Sequence, residues 1–297
     1  MTSSKRTTQR NIGKGQGPSS PAQTIRAIYR KLSREWGPQH WWPAETPFEV
    51  IAGAVLTQNT SWTNVERALA KLREAGVLSV EGIRELSLGE LERLVRSSGY
   101  FRQKAQRLKS FIAFLEEKHG GSLDALLGIP TQQLRAELLA QKGIGPETAD
   151  SILLYAGHHA IFVVDAYTRR VLERHGAVAA GAKYDEIRGL VEQALQRERP
   201  SPIGAHRKHR SQRPDAHAPS AMSTAPRVPL AQVYNEMHGL LVQLGKHYCH
   251  TQGPKCEVCP LGAMLVKPVR PISSLDTQDR QSVANRRASK KPAKSRL

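Results

Sequence analysis

Cysteine is scarce in this 297-residue chain: there are three, at positions 249, 256 and 259. An odd, clustered set of thiols excludes the paired disulfide framework of a small secreted domain. Aromatic residues make up only 5% of the chain, which gives weight to the tryptophans, three of whose four members are Trp41, Trp42 and Trp62. No apolar run approaches the roughly 20 residues needed to cross a bilayer, so no membrane partner is expected. The N-terminal segment has no apolar core of the kind a secretory leader needs, although its Ser, Thr and Arg content leaves an organellar transit peptide open. Acidic residues are also in deficit, 26 against 44 Lys and Arg, for a formal net charge of +18.

That charge is unevenly spread. Residues 1–20 carry +4, residues 197–227 carry +5 and residues 267–297 carry +7, which leaves +2 for the remainder. These segments are rich in Pro, Ser, Ala and His and bury little apolar surface, so they are expected to stay unstructured, as basic tails (1–20, 266–297) and a low-complexity insert (197–227). Their charge would add salt-sensitive affinity for a polyanion without reading sequence.

The rest of the chain patterns as helix. Ile25, Ile28 and Leu32 form one stripe and Val65, Leu69 and Leu72 another. Ser87 and Glu90 form a capping box ahead of Leu91, and Thr131 is placed to cap the helix that carries Leu134 and Leu138.

The most informative stretch is Gln141-Lys142-Gly143-Ile144-Gly145-Pro146-Glu147-Thr148. Two glycines around one apolar residue let the backbone turn tightly while main-chain N–H groups face outward, and such a nest at a helix start binds a phosphate oxygen. Pro146 suits a first helical residue, because no N–H is needed there. The same Gly-x-Gly also ends ordinary helices. Twenty residues beyond Gly145, after the apolar run Ile161-Phe162-Val163-Val164, stands Asp165 at another helix start. A carboxylate there can be an N-cap, a catalytic group, or both.

Hairpin, helix and carboxylate in this order resemble the helix-hairpin-helix (HhH-GPD) superfamily of DNA glycosylases, in its endonuclease III-like branch. The likeness spans about residues 22–265. The resemblance implies an all-α, two-domain fold: a six-helix barrel over residues 40–160, and a second helical domain over 161–265 with which the N-terminal helix (21–39) packs. The active cleft would lie between the two. It further implies Gly143, Ile144, Gly145 and Thr148 as the DNA-binding hairpin and Asp165 as the catalytic carboxylate. The partner would be double-stranded DNA bearing a damaged base, and the protein a cytoplasmic, nucleoid-associated monomer.

Glu147 occupies the slot where endonuclease III has the lysine that attacks the sugar. A carboxylate forms no Schiff base, so a monofunctional N-glycosylase is expected. Lys104 and Lys246 are the amines left that could reach a sugar and support a lyase. Gln58, in Leu56-Thr57-Gln58-Asn59-Thr60, matches the family's wedge, a flat amide that can support the gap left by an extruded nucleotide. It could equally satisfy carbonyls at a helix end. The segment His40-Trp41-Trp42-Pro43, together with Trp62, looks like the 3-methyladenine-excising relatives. Tryptophan faces favour a cationic alkylated purine, and the alternative is plain burial in a core. A noncatalytic DNA-binding module that kept only the hairpin is the remaining reading.

Cys249, Cys256 and Cys259 match three of the four ligands of the family's iron–sulfur loop. The fourth would fall on Leu265. A [4Fe–4S] cluster with an incomplete set of cysteines, completed by a nearby group such as His247 or His250, is one expectation. A Cys3His zinc site is a second, and a loop without metal is a third.

Overall fold

The computed structural model describes residues 20–200 and 217–265 of the chain. Both basic tails lie outside the described residues, apart from Ser20, as does 201–216 of the proposed insert.

Helix α1 (Pro21–Trp36) opens on a capping box in which Ser20 and Gln23 satisfy each other's backbone N–H, and it buries the expected Ile25, Ile28 and Leu32. It packs on α11 (Tyr184–Leu195) and α13 (Pro229–His247), and α13 also packs on α10 (Ala166–Arg174). A second group of helices surrounds α2 (Pro47–Leu56), which is apolar on nearly every side and buried from Phe48 to Leu56. Around it lie α3 (Trp62–Glu74), α6 (Phe101–His119) and α9 (Pro146–Ser151), with α4 (Val80–Glu85), α5 (Leu88–Leu94), α7 (Leu123–Leu127) and α8 (Thr131–Leu139) completing the layer. The described residues contain no strand.

The two groups meet where α9 runs on as a π-helical turn, Ile152–Ala156, which touches both α2 and α13. From there the chain passes through Ile161–Val164, all buried, outside any helix or strand. Its backbone donors are met by α11: Phe162 N donates to Glu192 Oε1 at 2.9 Å and Val164 N to the Tyr184 hydroxyl at 3.3 Å. A buried segment of this kind needs such partners, and here they fix the point at which α10 begins.

A buried ion pair ties the hairpin helix to its neighbours. Asp150 on α9 is fully buried and takes two hydrogen bonds from Arg135 of α8, at 2.7 and 3.2 Å, while Arg135 also reaches Asp185 of α11 at 2.9 Å. Arg188 stands 4.0 Å from the same carboxylate.

Two local expectations are corrected. Thr131 does not cap α8: the residue before the helix is Pro130, and the Thr131 hydroxyl instead pairs with His159 Nδ1 at 2.8 Å, a half-buried partner that outcompetes the local cap. Nor is the insert unstructured to its end. Ser220 caps the short α12 (Ala221–Thr224) and accepts from Ala44 N, Met222 N donates to Ala44 O, and Met222 is buried. One apolar side chain and a few backbone bonds to the 42–45 segment are enough to hold this part down.

Candidate active site

Asp165 is the N-cap of α10. Its Oδ1 accepts from Thr168 N at 2.7 Å, which fixes the carboxylate and leaves Oδ2 facing α13. Across from Oδ2, at 3.6 Å, is Nε2 of His238, a buried residue of α13. His238 Nδ1 lies 2.5 Å from the hydroxyl of Tyr155 in the π-helical turn. Burial raises the Tyr155 phenol, with Asp165 adding to the effect, so its O–H donates to Nδ1. Burial lowers His238, with Asp165 opposing, so the ring is neutral and its remaining proton sits on Nε2, directed at Asp165. At 3.6 Å this is a charge–dipole contact and not a hydrogen bond.

The three tryptophans come together beside this group. Trp41 and Trp42 ring centroids are 5.4 Å apart, Trp62 lies 5.9 Å from Trp41 and 5.0 Å edge-on from Trp42, and Trp42 is 5.2 Å from Tyr155. Helix glycines make room for them: a Cβ at Gly239 of α13 would stand 2.9 Å from Trp41 Cβ, and one at Gly53 of α2 would stand 3.1 Å from the Trp42 ring. Trp41 and Trp42 are buried, and the imidazole of His217 packs 5.4 Å from Trp41. The aromatic cluster therefore has the composition of a base pocket but is closed, with His217 on one side of Trp41.

The two candidate sugar nucleophiles, Lys104 and Lys246, differ in environment. Lys104 is only 1% exposed, and its Nζ is spent on the carbonyls of Leu56 at 2.8 Å and Ser98 at 2.6 Å. Burial takes its pKa down to about 8, yet the group faces the interior between α2 and α6 and reaches no cleft. Lys246 is half-buried, with its Nζ 5.6 Å from the Trp41 ring centroid. Burial lowers its pKa, opposed by Glu66 and Asp165.

Glu147 sits on the first turn of α9, facing Asp165. Its side chain keeps a solvent-exposed surface, but protein crowds the carboxyl, and desolvation first, then the charge of Asp165, push its pKa up to about 7. A folded-state pKa above the ordinary carboxylate value means the protonated form is favoured on folding. The associated stability is therefore present below about pH 4.5 and lost as pH rises through about 7. Melting temperatures of the parent and Glu147→Gln proteins, compared from pH 4 to 8, should show the parent losing ground to the variant across that window. A constant difference would contradict the assignment.

The hairpin has the expected form. Gly143 adopts φ +87°, Ile144 tucks into the core, and Gly145 precedes α9 with nothing within 4 Å of where a Cβ would stand. Gln58 is not free in this state. Its Nε2 donates to Gly143 O at 3.0 Å and to Thr148 Oγ1 at 2.9 Å, and its Oε1 accepts from Arg107. Thr148 is correspondingly buried and turned toward Gln58. The fold thus joins the wedge candidate to the hairpin, 85 residues away in sequence.

Cys249, Cys256 and Cys259 line one cavity, and Leu265 lines it too, in the place of the absent fourth cysteine. His250 gives its carbonyl to Arg174 and does not line the cavity, nor does His247. Arg174 also donates to Cys249 Sγ at 3.1 Å. Among the described residues no three His, Cys, Asp or Glu side chains stand close enough to hold a single metal ion. That argues against a preformed Cys3His zinc site. A cluster of four irons takes its ligands at separate corners, so thiols spread round a cavity fit it in kind.

Sequence comparison gives this geometry its context. A putative DNA repair glycosylase of Methanocaldococcus jannaschii is 38% identical over 240 residues, which span 80% of this chain and 94% of that protein. Residues 52–197 match the HhH-GPD superfamily of base excision DNA repair proteins. The chain belongs to the HhH-GPD superfamily. It is a DNA repair glycosylase of that family, as the hairpin and carboxylate led us to expect. Endonuclease III of Thermotoga maritima is 26% identical over 213 residues, 72% of this chain and 79% of that one. Among solved structures, an H. pylori 3-methyladenine DNA glycosylase bound to 1,N6-ethenoadenine superposes with a TM-score of 0.59 at 28% identity, covering 77% of this chain and 98% of the other. An endonuclease III–DNA complex superposes with a TM-score of 0.62 at 20% identity, over 88% and 98%, and shows the shared fold.

No helix among the described residues is long and apolar enough to cross a membrane. Sequence reasoning did not find Tyr155, His238 or Arg107. Each is remote in sequence from the residue it serves, and none stands in a recognisable motif.

Proposed function

We propose that this HhH-GPD glycosylase is monofunctional and removes an alkylated purine, of the 3-methyladenine class, from double-stranded DNA. The observation that carries the reading is the grouping of Trp41, Trp42 and Trp62 against Tyr155 and His238, the pair that stands next to Asp165, with a carboxylate and not an amine at position 147. The H. pylori 3-methyladenine glycosylase, at 28% identity, supports it from outside the molecule.

The chemistry follows from charge. An N-alkylated purine is cationic, so its ring gains attraction from tryptophan faces, and breaking the glycosidic bond neutralises it. Such a leaving group needs little protonation by the protein. What is left to stabilise is the positive sugar, and Asp165 does this electrostatically while orienting the water that attacks C1′. His238, backed by Tyr155, acts as a positioning residue that keeps Oδ2 of Asp165 turned toward the site. The base reaches Trp41 by displacing the ring of His217. Gly143, Ile144, Gly145 and Thr148 hold the backbone phosphate, and Gln58 leaves its hairpin partners to fill the gap in the stack. The protein would act as a monomer at the nucleoid, with division into helical domains at 40–160 and 161–265. The cysteine loop is the seat of a [4Fe–4S] cluster whose role is structural, since hydrolysis of this bond transfers no electrons.

A second reading, a glycosylase with lyase activity on oxidised pyrimidines, is favoured by one observation: the half-buried Lys246 with its lowered pKa. Borohydride treatment during turnover separates the two. The monofunctional reading expects released base, an intact strand on a denaturing gel and no trapped enzyme–DNA adduct. A trapped adduct that disappears in Lys246→Ala would replace it with the second reading.

A further inference from the structure

The sequence supplies three cysteines where a four-iron cluster wants four ligands, and the fold brings a fourth donor to the same cavity from a distant segment. His175, at the C-terminal end of α10, lines the cavity formed by Cys249, Cys256, Cys259 and Leu265. It is 3% exposed. Its Nδ1 lies 2.8 Å from the carbonyl of Val171, an acceptor only, so the ring proton sits on Nδ1 and the Nε2 lone pair is free. Nε2 is buried and has no hydrogen-bond partner. An unpartnered ring nitrogen of this kind costs free energy inside a protein unless something binds it. A histidine that spends one ring N–H on a backbone carbonyl, leaves its other nitrogen unpartnered and lines a cavity shared with three thiols has the make-up of a metal-ligating histidine.

We propose that His175 is the fourth ligand of a [4Fe–4S] cluster held by Cys249, Cys256 and Cys259. The proposal rests on reading the loop as a cluster seat and adds the donor that completes it. Leu265 has no donor atom, and the carbonyls of His250 and Thr251 are taken by Arg174, which also donates to the sulfur of Cys249. The loop is thereby fastened to the C-terminal end of α10, the helix whose N-cap is Asp165. Ligation by His175 would join the cluster to the helix that carries the catalytic carboxylate.

The test uses the full chain, purified anaerobically and reconstituted with iron and sulfide. Iron and acid-labile sulfide are assayed together with the visible absorbance, and circular dichroism checks that each variant is folded. The parent should hold about four irons and four sulfides per chain. His175→Ala should remain helical and lose most of both. Leu265→Cys added to His175→Ala should restore them, because it returns a thiolate to the same cavity. The restored cluster should have a lower reduction potential than the parent, since imidazole ligation raises the potential and thiolate ligation lowers it. A purely structural role for His175 would leave a folded His175→Ala protein fully loaded. Full loading of His175→Ala, or an unchanged potential in the restored variant, would overturn the ligand assignment while leaving the cluster seat intact. A parent that takes up no iron, or takes zinc in its place, would overturn the cluster and the ligand together.

Discussion

Asp165→Asn should lower single-turnover release of methylated purine by about 10²–10⁴-fold, the range associated with loss of a positioned acid–base or charge-stabilising group. Fold and DNA affinity should be nearly untouched. The reason lies in the two tasks of the carboxylate. Its Oδ1 caps α10 by accepting from Thr168 N at 2.7 Å, and an asparagine carbonyl performs that task equally well. The negative charge that the proposed mechanism sets against the extruded sugar is what the substitution removes. Two companion readings sharpen the result. The melting temperature should stay within a degree or two of the parent, and the apparent Kd for duplex DNA should change by no more than a few fold. The pKa of Glu147 should fall, because one of the two causes holding it near 7 is the charge of Asp165. Turnover within tenfold of the parent would remove Asp165 from the reaction.

Arg135→Ala should be the most damaging substitution to stability outside the apolar core. Asp150 is fully buried, and Arg135, itself only 13% exposed in its side chain, makes two hydrogen bonds to it while holding Asp185 with the same guanidinium. Removing one partner strands a buried charge, a change that costs about 3–5 kcal/mol. The value here should lie near 3, because Arg188 stands 4.0 Å from the same carboxylate and can move toward it. Asp150 sits on α9, the helix that follows the hairpin, so the loss also loosens the backbone proposed to hold phosphate, and DNA affinity should fall with stability. Adding Asp150→Asn to Arg135→Met removes both charges and should recover most of the loss. Urea unfolding monitored by circular dichroism gives the comparison. A midpoint for Arg135→Ala equal to the parent's would show that the pair does not hold α8, α9 and α11 together.

The sequence carried the parts of this protein that depend on short spacing. Helix stripes such as Ile25, Ile28 and Leu32 were readable because a 3.6-residue period is local, and the hairpin was readable because two glycines and a proline leave few conformations open. The helix start at Asp165 is readable from the sequence, and the structure makes it the N-cap of α10, while its part in the reaction comes from the family resemblance. Contacts that bridge long separations were not. Gln58 reads from the sequence either as a wedge or as an amide that satisfies nearby carbonyls, and the partners it takes, Gly143 and Thr148 of the hairpin, are a pairing no local pattern encodes. Lys104 looked like a candidate nucleophile until the fold turned it inward to the Leu56 and Ser98 carbonyls. His175 is not legible as a candidate donor, because spacing points to residues near the cysteines, His247 and His250, while the fold brings His175 to the cysteine cavity from the end of α10. Thr131 shows the same point on a small scale: its cap was outcompeted by a histidine 28 residues away.

The position of the aromatic residues joins fold to specificity. Gly53 of α2 and Gly239 of α13 give Trp42 and Trp41 their space, and His217 closes the cluster from a segment that composition alone would leave as an unstructured insert. A cationic purine has a stronger claim on those faces than a neutral pyrimidine does. The most direct measurement is therefore a single competition: one pool of duplex DNA carrying both methylated purines and oxidised pyrimidines, incubated with the protein, with every released base identified by mass spectrometry. The account predicts that 3-methyladenine and related cationic purines are released, and that the DNA strand is left uncut. Release of oxidised pyrimidines with strand cleavage, and no methylated purine, would contradict it.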